Sequence, residues 1–260
     1  MRKISAVLSA LLLTLAVQAQ TDTTVKNPAA PIPPIKEKVA SKPKKDWSKV
    51  KLSNRANDHF MFQFGYDTWT QVPDSIKLTG IGRHLNMYLM MDFPFKVDPR
   101  FSVGIGVGIG SSNIFFDKQE VKIAGTSPTL AFRNLADTNH FKKYKLVNVW
   151  AEIPVELRFA ANPENTNKSW KFALGAKVGT MLNAHTKGKN FQTKSGSTIN
   201  NYTEKINSKR YFNSLRIAAT ARISYGPFGI FGSYQINTLI KDNQGPPVHP
   251  MSVGLTISGL

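Results

Sequence analysis

Lys145-Leu146-Val147-Asn148-Val149-Trp150-Ala151-Glu152-Ile153-Pro154-Val155-Glu156-Leu157-Arg158-Phe159 carries two faces that demand different solvents. Val147, Val149, Ala151, Ile153, Val155, Leu157 and Phe159 form one row, and Asn148, Trp150, Glu152, Pro154, Glu156 and Arg158 form the other. A period of two puts these rows on opposite faces of a β-strand. At about 3.3 Å per residue, the stretch outruns the usual globular strand of about five or six residues. One apolar row and one charged row over such a length is what a transmembrane β-strand needs, with lipid outside and a polar lumen inside.

The alternation recurs in segments 59–71, 82–93, 101–115, 145–159, 170–182, 212–225, 228–239 and 250–260. In the first, Phe60, Phe62, Phe64 and Tyr66 oppose Met61, Gln63, Gly65, Asp67 and Trp69; in the second, Leu85, Met87, Leu89, Met91 and Phe93 oppose His84, Asn86, Tyr88, Met90 and Asp92. Connections alternate between long ones, above all 116–144 and 183–211, and short ones carrying Val97-Asp98-Pro99, Asn162-Pro163 and Gly226-Pro227. Long outer loops with tight turns at the other end are the barrel pattern. Aromatic residues mark both sets of strand ends: Phe93, Phe101, Phe159, Trp170, Tyr225 and Phe228 at the short turns, Phe115, Phe116, Tyr144, Tyr211 and Phe212 at the long loops. The expected fold is all-β, an eight-stranded antiparallel up-and-down transmembrane β-barrel over residues 59–260.

The N-terminus supplies the compartment. Arg2 and Lys3 precede an apolar stretch from Ile4 to Val17, and Val17-Gln18-Ala19 offers the small residues of a cleavage site. Residues 1–19 therefore read as a signal peptide for export to a Gram-negative outer membrane. Residues 20–58 alternate prolines with lysines and lack hydrophobic periodicity, so they read as a disordered periplasmic tether. After residue 20 no apolar run reaches the ~18 residues of a helical span. The chain has no cysteine, which excludes a disulfide framework and thiolate metal sites. A net charge of +18 would suggest nucleic acid in a cytosolic protein; an exported chain meets anionic lipid instead.

Eight strands enclose a lumen just wide enough for side chains to fill. The inward row offers Asp67, Asp92, Glu152 and Glu156 against Arg83, Arg158, Lys171, Lys177, Arg216 and Arg222. Charges buried there must pair. The expected network is a ladder centred on Glu152 and Glu156 and flanked by Lys171, Lys177 and Arg222, with Asp92, Arg158 and Arg216 in reach. Pro154 lacks an N–H and predicts a bulge or kink. Gly104, Gly106, Gly108 and Gly110 recur every second residue, not as a phosphate-binding G-x-G-x-x-G, and read as room for Trp150 and Met181.

No histidine pair has metal-ligand spacing, and no cofactor site is read. His59 and His84 fall on the inward row and His140, His185 and His249 fall in loops, so a serine–histidine pair facing lipid is not formed. The 183–211 connection carries Lys187, Lys189, Lys194, Lys205, Lys209 and Arg210 against Glu204. These are candidates for contact with lipopolysaccharide phosphates, or simply solvated surface.

The Trp150–Arg158 strand, of the form (Y/W)-x-E-I-P-(L/V), and the glycine- and alanine-rich Lys171–Gly179 strand after it resemble the barrel domain of PorT-like outer-membrane proteins of Bacteroidota. The resemblance covers roughly residues 59–260. It implies a non-enzymatic structural or interaction barrel, accessory to a secretion or envelope complex of the type IX kind. Outer-membrane lipid, lipopolysaccharide and an envelope protein complex are the expected partners, and nucleic acid is not. A small channel or ligand-binding barrel, and a lipid-modifying enzyme, are the alternatives.

Overall fold

A computed structural model describes Asp46 and residues 60–259. The expected signal peptide (1–19) and tether (20–58) lie outside the described residues, Asp46 apart. The strands are β1 (Phe60–Thr70), β2 (Gly82–Pro94), β3 (Phe101–Phe116), β4 (Gln119–Val121), β5 (Phe132–Asn134), β6 (His140–Ala160), β7 (Trp170–Gln192), β8 (Thr198–Asn207), β9 (Leu215–Tyr225), β10 (Phe228–Gln235) and β11 (His249–Ser258).

Among the described residues, eight of these close a ring. Its order is β1-β2-β3-β6-β7-β9-β10-β11, closed by β11 on β1, and every pairing is antiparallel. The chain meanders up and down, as its alternation predicts. Tight turns join the strands at one end. There Gly226 takes the positive φ of 56° that a two-residue hairpin needs at its first position.

Outward residues form an apolar belt. Leu85, Leu157 and Leu174 expose 50%, 53% and 67% of their surface, in company with Met87, Leu89, Ile153, Val178 and Leu255. A contiguous apolar surface of this extent is untenable in water and fits lipid. Inward residues of the same strands are buried and polar, among them Gln63, Asp67, Asn86, Glu152, Glu156 and Arg222.

Several expectations need correction. β6 and β7 run further into the long connections than their alternation indicates, whereas β9 starts only at Leu215 and β10 ends at Gln235, short of the expected 212 and 239. β6 starts at His140, β7 continues to Gln192, and β8 folds back on the end of β7, so most of 183–211 is a hairpin rather than a loop. His140, His185 and His249 therefore sit in strands. The long-loop aromatics Phe116, Tyr144, Tyr211 and Phe212 are buried instead of forming an interfacial girdle. They join Trp69, Ile114, Leu146, Trp150 and Met181 in an apolar core that closes this end of the ring. The girdle at the short turns is exposed, with Phe93, Trp170, Tyr225 and Phe228 all outside.

Pro154 does not bulge its strand. It keeps its pairing with Lys177 on β7, while the β3–β6 ladder lapses between Val155 and Glu152 without changing register. The missing N–H thus removes a bond locally, and the register shift of β6 falls at Val149/Trp150. The β3 glycines make room for other side chains than expected. A Cβ on Gly104 would lie 2.4 Å from Arg158 Nε, one on Gly106 2.3 Å from Met90 Sδ, and one on Gly110 2.8 Å from Glu152 Oε2. Arg83 shares parity with Leu85 and is exposed outside, not in the lumen.

Candidate functional site

The lumen holds two carboxylate-centred clusters. Glu152 of β6 accepts from Lys177 Nζ of β7 at 3.1 Å, from Arg216 Nη1 of β9 at 2.9 Å, and from the Tyr88 hydroxyl of β2. The Arg216 guanidinium also lies over the Trp150 ring, 5.6 Å from its centroid, so this layer abuts the apolar core. Four residues along, Glu156 accepts from Arg222 Nη2 at 2.8 Å and Arg158 Nε at 2.9 Å. Arg158 also approaches Asp92 at 3.5 Å, and Arg222 donates to Ser258 Oγ at 3.0 Å. Half-buried Lys171 lines a recess at the short-turn end with Asp92, Arg158 and Arg222. The structure thus divides the single expected ladder in two: Lys177 and Arg216 serve Glu152, and Arg158 and Arg222 serve Glu156.

A third cluster went unread. Asp67, His84 and Ser252 meet on the β1–β2–β11 wall, all buried. Ser252 Oγ donates to Asp67 Oδ1 at 2.5 Å, while His84 Nδ1 lies 3.3 Å from both Asp67 Oδ2 and Ser252 Oγ. The nucleophile relay needs serine and carboxylate on different ring nitrogens. Here both face Nδ1, and Nε2 is taken up by Asn86 at 2.8 Å. The arrangement is a packing network. Its signal in the sequence was the shared inward parity of the three residues, which gives no hint of their common height.

Beyond the belt, on the outside of the wall, cations gather. Arg83, Phe115, Lys143, Lys145, Lys187 and Lys189 line one recess. Lys145 Nζ donates to Asn113 Oδ1 at 2.7 Å. Burial, and then the charges of Lys187, Arg83 and Lys189, hold the Lys145 ammonium below the ordinary lysine pKa. Burial and the charges of Lys205, Lys145 and Lys187 depress His185 in the same way. Of the six cations singled out in 183–211, Lys187 and Lys189 join this recess and Lys205 lies opposite Lys187. Lys194 instead pairs with Asp137 at 2.8 Å. Lys209 donates to the Met181 carbonyl at 3.3 Å, tying its loop to β7, and Arg210 donates to the Gly125 and Thr126 carbonyls at 3.2 and 3.4 Å, tying two loops together. Arg83, Lys143 and Lys145 were missed as partners of the lysines because Lys143 and Lys145 lie on β6, outside 183–211, and Arg83 was assigned to the lumen.

The profile of the outer membrane protein beta-barrel domain family matches residues 41–237. The chain belongs to this family. It is an outer-membrane β-barrel protein, and its long-loop end faces the exterior by the usual rule for such barrels. Among solved structures, this outer-membrane barrel is similar to Ail, the attachment invasion locus protein of Yersinia pestis, in complex with the heparin analogue sucrose octasulfate. That match has 14% identity, covers 76% of this chain and 94% of that chain, and has a TM-score of 0.34. No curated protein matches the sequence.

Proposed function

We propose that this outer-membrane barrel is a non-enzymatic, non-conducting interaction protein that works through its exterior surface. One observation carries the reading. The Glu152–Lys177–Arg216 layer bridges β6, β7 and β9, reaches β2 through Tyr88 and lies against the apolar core, with the side chains of all three residues at most 2% exposed. A channel needs a continuous wet path and a ligand carrier needs a cavity; a buried ion-pair layer against an apolar core, inside only eight strands, favours neither. A lipid-modifying enzyme needs a nucleophile that substrate can reach, and Ser252 is 1% exposed.

The PorT-like resemblance of Trp150–Arg158 favours service as an accessory to a secretion or envelope complex of the type IX kind. Export through a signal peptide cleaved after Ala19 belongs to the same reading and is tested by N-terminal sequencing of the protein taken from outer membranes. The decisive experiment for the lumen is planar-bilayer recording on the refolded barrel. Current indistinguishable from bare bilayer is expected, and stable ohmic steps that persist across preparations would overturn it.

A further inference from the structure

Lysines face lysines on the outer wall. Lys143 lies opposite Lys189 and Lys145 opposite Lys187 in the β6–β7 register, and Lys187 lies opposite Lys205 on β8. Like charges directly opposite destabilise an antiparallel pair. The recess they line contains no carboxylate among its lining residues, and Arg83 completes it from β2. Arg83 and Lys145 both lie over the Phe115 ring, at 5.9 and 5.8 Å from its centroid, so the cations share an aromatic floor. Mutual repulsion is already felt at Lys145, whose charged form is disfavoured by burial and by Lys187, Arg83 and Lys189. An arrangement that costs stability on its own calls for an anion from outside the chain.

Height decides which anion. Along β2, Arg83 is two residues beyond lipid-facing Leu85, about 7 Å at strand rise. It sits opposite Tyr66, which is 44% exposed on the outer wall. Lys145 and Lys187 lie one outward position above the paired Val147 and His185, and on β7 the exposed aliphatic Leu182, at 48%, comes five residues before Lys187. Ile81, 72% exposed, continues the groove beside Arg83. The cations therefore sit against the side of the barrel at the edge of the lipid belt, where headgroups lie, and not at the loop tips.

We propose that Arg83, Lys143, Lys145, Lys187 and Lys189 form a binding site for the phosphate groups of an outer-leaflet phosphoglycolipid of the lipid A kind. Arg83 supplies a forked donor for one phosphate oxygen pair and the lysines supply compact charge. Phe115 and Ile81 meet the less polar part of the same headgroup. This site is independent of whether the lumen conducts.

The test uses the full-length barrel in nanodiscs of zwitterionic lipid doped with bisphosphorylated lipid A or with its dephosphorylated form, reading lipid retained per barrel by native mass spectrometry. Wild type is expected to retain the bisphosphorylated form selectively. Lys145→Gln/Lys187→Gln is expected to lower that retention about tenfold or more, as loss of two charge-assisted contacts implies. Lys194→Gln, at the hairpin tip, should leave it unchanged. Without phospholipid phosphate, in zwitterionic detergent, the double variant should melt higher than wild type, because the cross-strand repulsion is gone. Equal retention by wild type and double variant overturns the site, as does a double variant that melts lower. Displacement of the lipid by an equimolar amount of inorganic phosphate shows a free-anion site and overturns the lipid assignment.

Discussion

Glu152→Gln removes the carboxylate that pairs directly with two buried cations. Lys177 and Arg216 approach it at 3.1 and 2.9 Å, and neither side chain exposes more than 2% of its surface. Deleting one partner of a buried pair costs about 3–5 kcal/mol, because the surviving charge stays desolvated without compensation. Here two cations survive, but the amide keeps the shape and one acceptor oxygen, so a loss of about 3 kcal/mol is expected. The assay is urea unfolding of the barrel in lipid vesicles, followed by tryptophan fluorescence and by heat-modifiable gel mobility. Adding Lys177→Met to Glu152→Gln should restore part of the loss, since one orphaned charge is removed; a double-mutant cycle isolates the coupling. Glu156→Gln should behave in parallel through Arg158 and Arg222. A loss of less than about 0.5 kcal/mol, within the range of ordinary surface substitutions, would refute the paired lumen on which the closed-barrel reading rests.

Three further outcomes are expected. Gly104→Ala places a Cβ 2.4 Å from Arg158 Nε and must displace the guanidinium from Glu156, which should cost about 1–3 kcal/mol in the same urea assay. Tyr144 lies beyond the lipid belt, and burial pushes its hydroxyl up to about 12. Below pH ~10 both folded and unfolded forms are neutral; between about 10 and 12 only the unfolded form ionises, so the stability contribution is lost as pH rises, by up to about 2–3 kcal/mol. Proteolysis of the β4–β5 region, whose Val121 exchanges hydrogen bonds with the Tyr144 hydroxyl, should accelerate in that window and lose this pH dependence in Tyr144→Phe. A serine-directed fluorophosphonate should leave the folded barrel unlabelled, since Ser252 is buried and donates to Asp67; labelling at Ser252 would reopen the enzyme reading.

Within the lipid belt the fold is legible because two solvents impose opposite choices on successive residues. Phe60 and Phe64 are exposed, Gln63 and Asp67 buried, as parity alone requires. The partners of the luminal charges were less legible. Parity puts Arg158 and Arg222 inside, but their height relative to Glu156 depends on barrel stagger, which no single strand carries. The exterior end was hardest to read. Thr198–Asn207 has no apolar row, so β8 left no periodic trace, and it forms because β7 extends far enough to template it. Arg83 shows a different failure: its charge suggested the lumen, while its parity with Leu85 had already placed it outside.

The same strand that declares the barrel also marks where the membrane ends. At Glu152 and Ile153 the charged residue is inside and the aliphatic one outside, 2% and 53% exposed. At Lys145 and Leu146 the order is reversed, with leucine 1% exposed inside and lysine on the outer wall. Strand geometry alone cannot produce this, because parity is preserved from end to end; only the solvent beyond the wall has changed. In lipid the outer row must be apolar, and polar residues within keep the register specified, since a one-residue slip would drive Glu152 and Glu156 into hydrocarbon. In water the outer row can carry lysine, and the interior reverts to an ordinary apolar core around Trp69, Phe116 and Leu146. The inward row changes over between Glu152 and Trp150 and the outward row between Val147 and Lys145, and the β6–β7 register shift falls between these two points, at Val149/Trp150. A bulge bends a strand and raises its twist, so it can re-aim β6 and β7 where they leave the bilayer and bring Lys145 and Lys187 together just above it.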